Sequence, residues 1–357
     1  MSDSRGIRVA IAGIGNCCQA LLEGIEYYRQ SPGDTRGLMN VDIAGYKVTD
    51  IVPVVAFDIH SGKVGKDLSE AIYVRPNMAY RYPGVKVAPY NVQVQMGPVL
   101  DGNPPHLQVF VPTSDREPCD VVDALKKSGA EMLLNFIPTE SHQAARTYAD
   151  AAIKGARIGF INGMPTLVVC DPEYQKSAVE RGVPLIGDDV KSQMGGTAIH
   201  RALATLFQAR GVHLSQTYQI NYAGNTDFAN LMARGQSKHK TKQEAVTSLM
   251  PYPVKMSTGF THVALMKDRK TSIFWIDGAN FGNAPLHLEA KLEVEDSANF
   301  AGVMVDMIRY MRLAQDRGVS GVLESACAFL TKHPPTPMPD MEALARLKEF
   351  VAGRRER

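Results

Sequence analysis

The chain has 357 residues, 45% hydrophobic and 21% charged, which is enough for a large buried core and for two domains. A formal net charge of +2 gives no global attraction to nucleic acid or to an anionic membrane, so anion binding must come from local clusters. The five cysteines (Cys17, Cys18, Cys119, Cys170 and Cys327) are odd in number and show no metal-ligand spacing, which points to reduced thiols and a cytoplasmic protein.

The N-terminal "MSDSRG" is short and polar. The first apolar run, "IRVAIAGIG", is too short and too broken by glycine for a signal peptide or a membrane span. Its β-branched residues and terminal glycine instead predict a buried parallel strand. "CCQALLEGIEYYRQ" follows as a helix, with Leu21, Leu22, Ile25 and Tyr28 at helical spacing, until "SPGDTRG" breaks it. "IVPVVAFDI" is a second strand that ends near Asp58. "VVDALKKSG" is a helix with a glycine stop, "AEMLLNFIP" a strand, "SHQAARTYADAAIKGA" a helix and "RIGFING" a strand. "AVERGVPLIGDD" closes a helix and opens another strand. This alternation predicts an α/β fold with a doubly wound parallel sheet.

After about Thr197 the texture changes. "AIHRALATLFQARG" is a helix. "THVALM", "TSIFWIDGANF" and "LHLEAKLEVED" alternate polar and apolar residues, which predicts an open antiparallel sheet with one face in solvent or against a partner. "FAGVMVDMIRYMRLAQDRG" is a strong helix whose Met304, Met307 and Met311 suit core or interface filling. "RRER" reads as a solvated end.

Two loops carry chemistry. In "GIGNC" (Gly13, Gly15, Asn16, Cys17), Gly13 permits a tight turn and Gly15 lets the backbone approach a pyrophosphate at a helix N-terminus. Cys18 stands where G-x-G-x-x-G has its third glycine. Asp58 is placed to accept hydrogen bonds from a ribose diol, favouring NAD over NADP; a plain turn with a strand-capping aspartate is the alternative. "FIPTES" and "FINGMP" end strands on the same side, so Thr139, Ser141, Asn162 and Gly163 are expected along the ligand crevice. The second loop is "GDDVKSQMGGT". Ser192, Gln193, Gly195, Gly196 and Thr197 can offer hydroxyl, amide and backbone donors to a phosphate, or form an ordinary N-capped polar loop. Asp188 and Asp189 lie at a strand end, where a carboxylate could orient a nicotinamide ring or bind a monovalent or divalent cation. "GQSKHKTKQ" sets Lys238, Lys240 and Lys242 at every second position, which taken alone reads as a solvated charged face.

The set "VAIAGIGNC", "VAFDI", "GDDVKSQMGGT", "NTDFANL", "QSKHKTK", "DRKTSIFW", "KLEVEDSANFAG" and "FLTKHPP" resembles, in order and spacing from about Arg8 to about Pro335, the shorter bacterial form of myo-inositol-1-phosphate synthase. The resemblance implies a Rossmann-type domain with tightly bound, recycled NAD and a homotetramer. It implies conversion of glucose 6-phosphate to an inositol phosphate by a redox-neutral isomerase. Residue by residue, it assigns four site lysines to Lys238, Lys242, Lys270 and Lys332, and acids near the nicotinamide to Asp189 and Asp296. It assigns substrate contacts to Asn225 and Asp227, and a phosphate loop to Ser192–Thr197. Lys191 becomes a structural or peripheral lysine. The chain departs from the typical form at "GNTDF", "KDRKTSIFWIDG", "VEDSANFAG" and "TKHPP", changes that surround the lysines without removing them.

The implied steps are oxidation at C5, enolisation, an intramolecular aldol closure and re-reduction. Lys270 and Lys332 are assigned to the C5 oxygen, Lys238 to the electrophilic carbonyl, and Lys242 to the phosphate with Ser192, Gln193 and Thr197. No His–Asp pair emerges as the enolising base. The resemblance suggests the substrate phosphate, and a lysine lowered by its cationic neighbours is the alternative. Fructose 6-phosphate would give a five-membered cyclitol by the same steps. A simple NAD-dependent dehydrogenase leaves the lysines idle, and a non-catalytic NAD sensor is the third reading. The expected division is a NAD domain of residues 1–198 and 301–357. Residues 199–300 then form an α+β catalytic and tetramerisation domain with an open antiparallel sheet. Neither nucleic acid nor membrane is an expected partner.

Overall fold

The computed structural model describes residues 6–357, and the apolar runs of the N-terminal half lie side by side in it as parallel strands. In chain order the strands are β1 (Ile7–Ala12), β2 (Ile51–Asp58), β3 (Val94–Met96), β4 (Met132–Asn135), β5 (Gly159–Asn162), β6 (Pro184–Ile186), β7 (His213–Ala223), β8 (Lys255–His262), β9 (Arg269–Ala279), β10 (Pro285–Glu295) and β11 (Gly321–Val322). The first sheet has the order β11-β6-β5-β4-β1-β2-β3, parallel throughout. Strands β4, β5 and β6 are buried at every residue, as strands covered on both faces must be. The direction of winding reverses between β1 and β4, and the crevice at that reversal is where such sheets place ligands.

One helix, Asp296–Asp316, returns from the far end of the sequence to pack on this sheet and on the Asn16–Gln30 helix. Its Met304, Met307 and Met311 are fully buried, the core-filling role their spacing suggests. The sheet's core therefore joins residues on either side of the second sheet's segment.

The second sheet has the order β10-β9-β7-β8. Strands β7, β9 and β10 pair antiparallel, but the edge strand β8 runs parallel to β7. The reason lies in the connection. Two helices, Thr226–Ala233 and Gln236–Thr247, fill the chain between β7 and β8, and a helical crossover returns the chain to the end from which it started. "THVALM" is thus not a strand: β8 ends at His262, and Ala264–Met266 is a single 3₁₀ turn. Phe274 and Ile276 on β9 are fully buried, while Tyr218 and Trp275 stack on the other face with ring centroids 5.6 Å apart.

The C-terminal segment locks the two parts together. Lys191, next to the second glycine-bearing loop, donates from Nζ to Asp340 Oδ1 at 2.6 Å. Arg201 on the Gly196–Ala209 helix donates to the same carboxylate through Nε at 3.0 Å and Nη2 to the Met338 carbonyl at 2.9 Å. Lys191 is a structural lysine, as its dropping out of the motif suggests. Substituting Asp340→Ala leaves two nearly buried cations without their shared acceptor. The expected cost is about 3 kcal/mol, from the range for breaking a buried ion pair, read as a lower urea midpoint. An unchanged midpoint removes Asp340 as the anchor of that loop.

Candidate functional site

The first turn begins where β1 ends. Gly13 adopts φ +93°, and a Cβ added there would lie 2.7 Å from the Phe136 carbonyl oxygen, closer than real side chains come. No substitution is compatible with both constraints. Gly15 begins the Asn16–Gln30 helix without any side-chain cap, and an added Cβ would meet nothing within 4 Å. The free backbone donors of that first turn therefore open onto a cavity, the arrangement that suits an anion. Asn16 fixes the turn from the side by accepting from Met78 N at 2.7 Å.

Asp58 stands at the end of β2, but much of its capacity is committed. Oδ2 accepts from Ile14 N at 2.8 Å, and Oδ1 from Ile59 N and His60 N at 2.7 and 2.9 Å. It caps the glycine turn, and as an ionised carboxylate with about four acceptor positions it keeps room for a hydroxyl. Lys63, which no sequence motif singles out, is buried beneath it. Its Nζ donates to the Ile14 carbonyl at 2.6 Å and to Asn77 Oδ1 at 2.9 Å, and lies 3.8 Å from Asp58. A lysine five residues beyond a strand-ending aspartate was the signal available for it.

The lysines come from three separate places. Lys238 and Lys242 are four residues apart on the Gln236–Thr247 helix and share its inner face, whereas Lys240 is exposed and pairs with Glu244. The alternating spacing thus resolves at helical period into two inward-facing lysines, Lys242 buried and Lys238 partly so, and one solvated one. Lys270 extends from β9, and Lys332 follows the Glu324–Leu330 helix. All four line the same cavity as Gly13, Gly15, Asn16, Cys17 and Asp58.

Three of the lysines are paired. Lys238 Nζ lies 2.6 Å from Asp227 Oδ2, Lys270 Nζ 2.8 Å from Asp296 Oδ1, and Lys332 Nζ 2.6 Å from Asp189 Oδ1. Asp189 sits at φ +59°, a left-handed conformation that aims its side chain at Lys332, and Thr241 Oγ1 donates to its other oxygen at 2.7 Å. Burial alone would raise its carboxyl. Lys332 and Lys238 outweigh burial and hold it below the ordinary carboxylate value. Burial likewise opposes Asp296, and Lys270 brings it down. Asp268, another acid the sequence did not flag, is pushed up to about 7 by burial and by the neighbouring Asp296. It accepts from Asn225 Nδ2 at 3.0 Å and from Ser297 N at 2.9 Å.

Lys242 differs. Its Nζ has no hydrogen-bond partner among the described residues, and burial together with Lys270, Lys332 and Lys238 holds it well below the ordinary lysine value. Thr197 Oγ1 is likewise buried without a partner among the described residues. It belongs to the first turn of the Gly196–Ala209 helix, whose N-cap, Gly195, offers no side-chain cap. Ser192, Gly195 and Thr197 share the cavity with Lys242, so two orphaned donors line the cavity into which the second loop's helix start opens.

Asn225, Asp227, Gly163, Asp189 and Asp296 also line this cavity. Five expected residues do not. Asp188 turns into the core and accepts from the backbone of Val168, Val169 and Cys170 and from Asn162 Nδ2, so it can neither orient a ring nor reach a cation in the crevice. Asn162 ties it to Asn135. Thr139 donates to Asp227 Oδ1 at 2.9 Å and so stands one layer behind. Ser141, fully buried, begins the His142–Asp150 helix. Gln193 points away and donates to the Gly37 carbonyl at 2.8 Å. Among the described residues no group of three or more His, Cys, Asp or Glu side chains is arranged to hold a metal ion.

Comparison with known proteins places this arrangement among relatives. The family model for myo-inositol-1-phosphate synthase matches residues 195–297. The inositol-3-phosphate synthase of Mycobacterium tuberculosis (strain CDC 1551) is 42% identical over 358 residues, spanning 98% of this chain and 97% of that protein. The inositol-3-phosphate synthase of Corynebacterium glutamicum is 41% identical, spanning 97% and 98%. The crystal structure of Ari2 is 34% identical with a TM-score of 0.78, covering 97% of this chain and 99% of that one.

The Lys332–Asp189 pair has a pH signature. In the parent, Asp189 contributes stability above the unfolded carboxylate value of about 3.9 that is lost as the pH falls through its depressed folded value. In Lys332→Met, burial dominates and the carboxyl rises. The variant is then less stable at neutral pH, and the deficit shrinks as acidification protonates Asp189. Thermal midpoints measured from pH 8 to pH 4 (about the carboxylate range) read this; parallel curves refute the pairing.

Proposed function

The chain belongs to the myo-inositol-1-phosphate synthase family, and from that premise we propose that it is a redox-neutral, NAD-dependent isomerase closing a hexose 6-phosphate, glucose 6-phosphate in the first instance, into a cyclitol phosphate. The observation that carries the reading is one cavity lined by an uncapped glycine turn at one end and four lysines at the other. The open space at Gly15, the free donors of the first helical turn and Asp58 fit a dinucleotide, held by Gly13, Gly15, Asn16, Cys17 and Asp58. When bound, NAD supplies a hydride acceptor for the C5 carbinol and a hydride donor for the final ketone.

The protein's own groups manage charge and protons. Oxidation at C5 makes the C6 hydrogens acidic, because the enolate's charge moves onto the C5 oxygen. Lys270 and Lys332 hold that oxygen, each paired with an aspartate and each largely shut off from water, where fixed charge acts most strongly. Lys238, backed by Asp227, holds the carbonyl that the enolate carbon attacks and supports the new alkoxide. Ser192, Gly195 and Thr197 hold the phosphate with Lys242. Asn225 caps the helix that carries Asp227 and fixes it for the substrate's hydroxyls.

Closure onto an aldehyde at C1 gives a six-membered inositol phosphate. Closure onto a ketone at C2, from fructose 6-phosphate, gives a five-membered ring with the same lysines. This second reading is favoured by placement: Thr226 and Phe300, both from segments that depart from the family's typical form, line the cavity. A homotetramer is proposed through the outer face of the second sheet, where Ile220 on β7 is exposed, together with the turns flanking β9, which expose Leu265 and Phe281. The NAD-binding and catalytic units follow the division at residues 198 and 301.

Incubation with NAD and each sugar phosphate, followed by NMR of the product, tests the reading. The expected result is an inositol phosphate from glucose 6-phosphate with no net NADH at 340 nm. A cyclitol from fructose 6-phosphate alone shifts the assignment to the second reading, and steady NADH production refutes both. Lys270→Ala is expected to lower turnover about 10²-fold or more, the effect of removing one oxyanion-stabilising donor.

A further inference from the structure

Apart from Lys63 beneath Asp58, the cavity is lined by four lysines, and three aspartates partner them. Lys238, Lys270 and Lys332 each donate to a carboxylate within 2.6–2.8 Å. Lys242 is 3% exposed, and its Nζ has no partner among the described residues. The Phe260 ring lies 5.0 Å from Nζ. Around it stand Lys238 and His239 on its own helix, Lys270 from β9, Lys332, Asp296 and, on the Gly196–Ala209 helix, His200. Asp296 is the carboxylate among these, and Lys270 already engages it. A buried ammonium with neither an anion nor a hydrogen-bond acceptor is costly, so burial and the surrounding lysines favour the neutral amine of Lys242, the form with a lone pair to take a proton.

We propose that Lys242 is the base of the enolising step: its amine removes a proton from C6 of the bound 5-ketohexose 6-phosphate. The assignment rests on the cyclase reading above. The C6–H bond breaks and its electron pair forms the C5=C6 bond. The carbonyl π pair moves onto the C5 oxygen, beside Lys270 and Lys332, and the proton ends on Nζ of Lys242. C6 also carries the phosphate, so a base for C6 must stand among the phosphate donors, and Lys242, on a helix packed against the Gly196–Ala209 helix, lines the same cavity as Gly195, Gly196 and Thr197. The ammonium so formed acquires the phosphate as its counter-ion, the partner that no aspartate supplies. Enolisation is thereby coupled to relief of an unmatched phosphate charge, and the proton returns to solvent when product leaves.

The test supplies the ketone directly. 5-Keto-glucose 6-phosphate is mixed with the protein in D₂O, and loss of the C6 hydrogens is followed by NMR. The parent is expected to exchange them. Lys242→Arg keeps a charge for the phosphate but cannot act as a base, and Lys242→Ala leaves a cavity; both should exchange about 10²-fold more slowly or worse. Ethylamine should restore Lys242→Ala, increasingly as pH raises its free-amine fraction. Undiminished exchange in Lys242→Arg overturns the assignment in favour of the substrate's own phosphate as base. Failure of ethylamine to restore Lys242→Ala overturns it in favour of a binding role alone. A parent that exchanges C6 hydrogens, loses exchange in both variants, yet forms no cyclitol from any hexose 6-phosphate defeats the cyclase reading and leaves the base assignment standing.

Discussion

Beyond the Lys63–Asp58 pair at the glycine turn, three aspartates stand against four largely buried lysines in one cavity, and the rest of the structure is arranged around that imbalance. An ion taken out of water costs several kcal/mol unless a partner and hydrogen bonds replace its hydration. Each partner must then be delivered by a rigid element. Asp227 comes from a short helix capped by Asn225, Asp296 from the first turn of a long helix, and Asp189 from a residue in a left-handed conformation. Thr139 and Thr241 supply second hydrogen bonds to Asp227 and Asp189. The charges fix one another, so the ammonium groups wait in position rather than reorganising when substrate charge develops.

The same constraint explains why the C-terminal segment returns to the first sheet. Lys332 must reach Asp189, and the backbone on either side makes that contact a ladder. Lys332 N donates to the Asp189 carbonyl at 2.7 Å, Lys191 N to Leu330 at 2.8 Å, and His333 N to Asp188 at 3.2 Å. Strand β11 and the Asp340 contact with Lys191 and Arg201 hold the segment at both ends.

The sequence made five of the first sheet's seven strands legible because their signal is local: short β-branched runs ending in glycine or aspartate, separated by helical periods; β3 and β11, three and two residues long, carry no such run. It made the glycine turn legible for the same reason. The second sheet was less so. The β8 segment, "KMSTGFTH", is polar and half exposed, so no period marks it as a strand, and its parallel pairing depends on a crossover whose second helix, Gln236–Thr247, has a weak apolar face. The charge pairing was not legible at all. Lys332 and Asp189 are 143 residues apart, and Lys270 and Asp296 are 26 apart across a hairpin. Period and spacing carry no information at that range. The resemblance to a family picked out the four lysines, but which of them lacks a partner emerges only in three dimensions.

Asp188 and Asp189 make the point at the smallest scale. They are neighbours of identical chemistry, and both face the crevice in a linear reading. In the fold they face opposite ways. Asp188 turns back, where three backbone N–H groups and Asn162 saturate it, and burial still pushes its carboxyl up to about 6. Asp189 turns forward, where Lys332 and Lys238 hold its carboxyl down. One residue anchors the loop to the parallel sheet and the next presents a charge to the cavity. The loop that follows, Ser192 to Thr197, therefore leaves from a point fixed on both sides. That is the mechanical condition for a phosphate site to keep register with a dinucleotide turn built on a different strand.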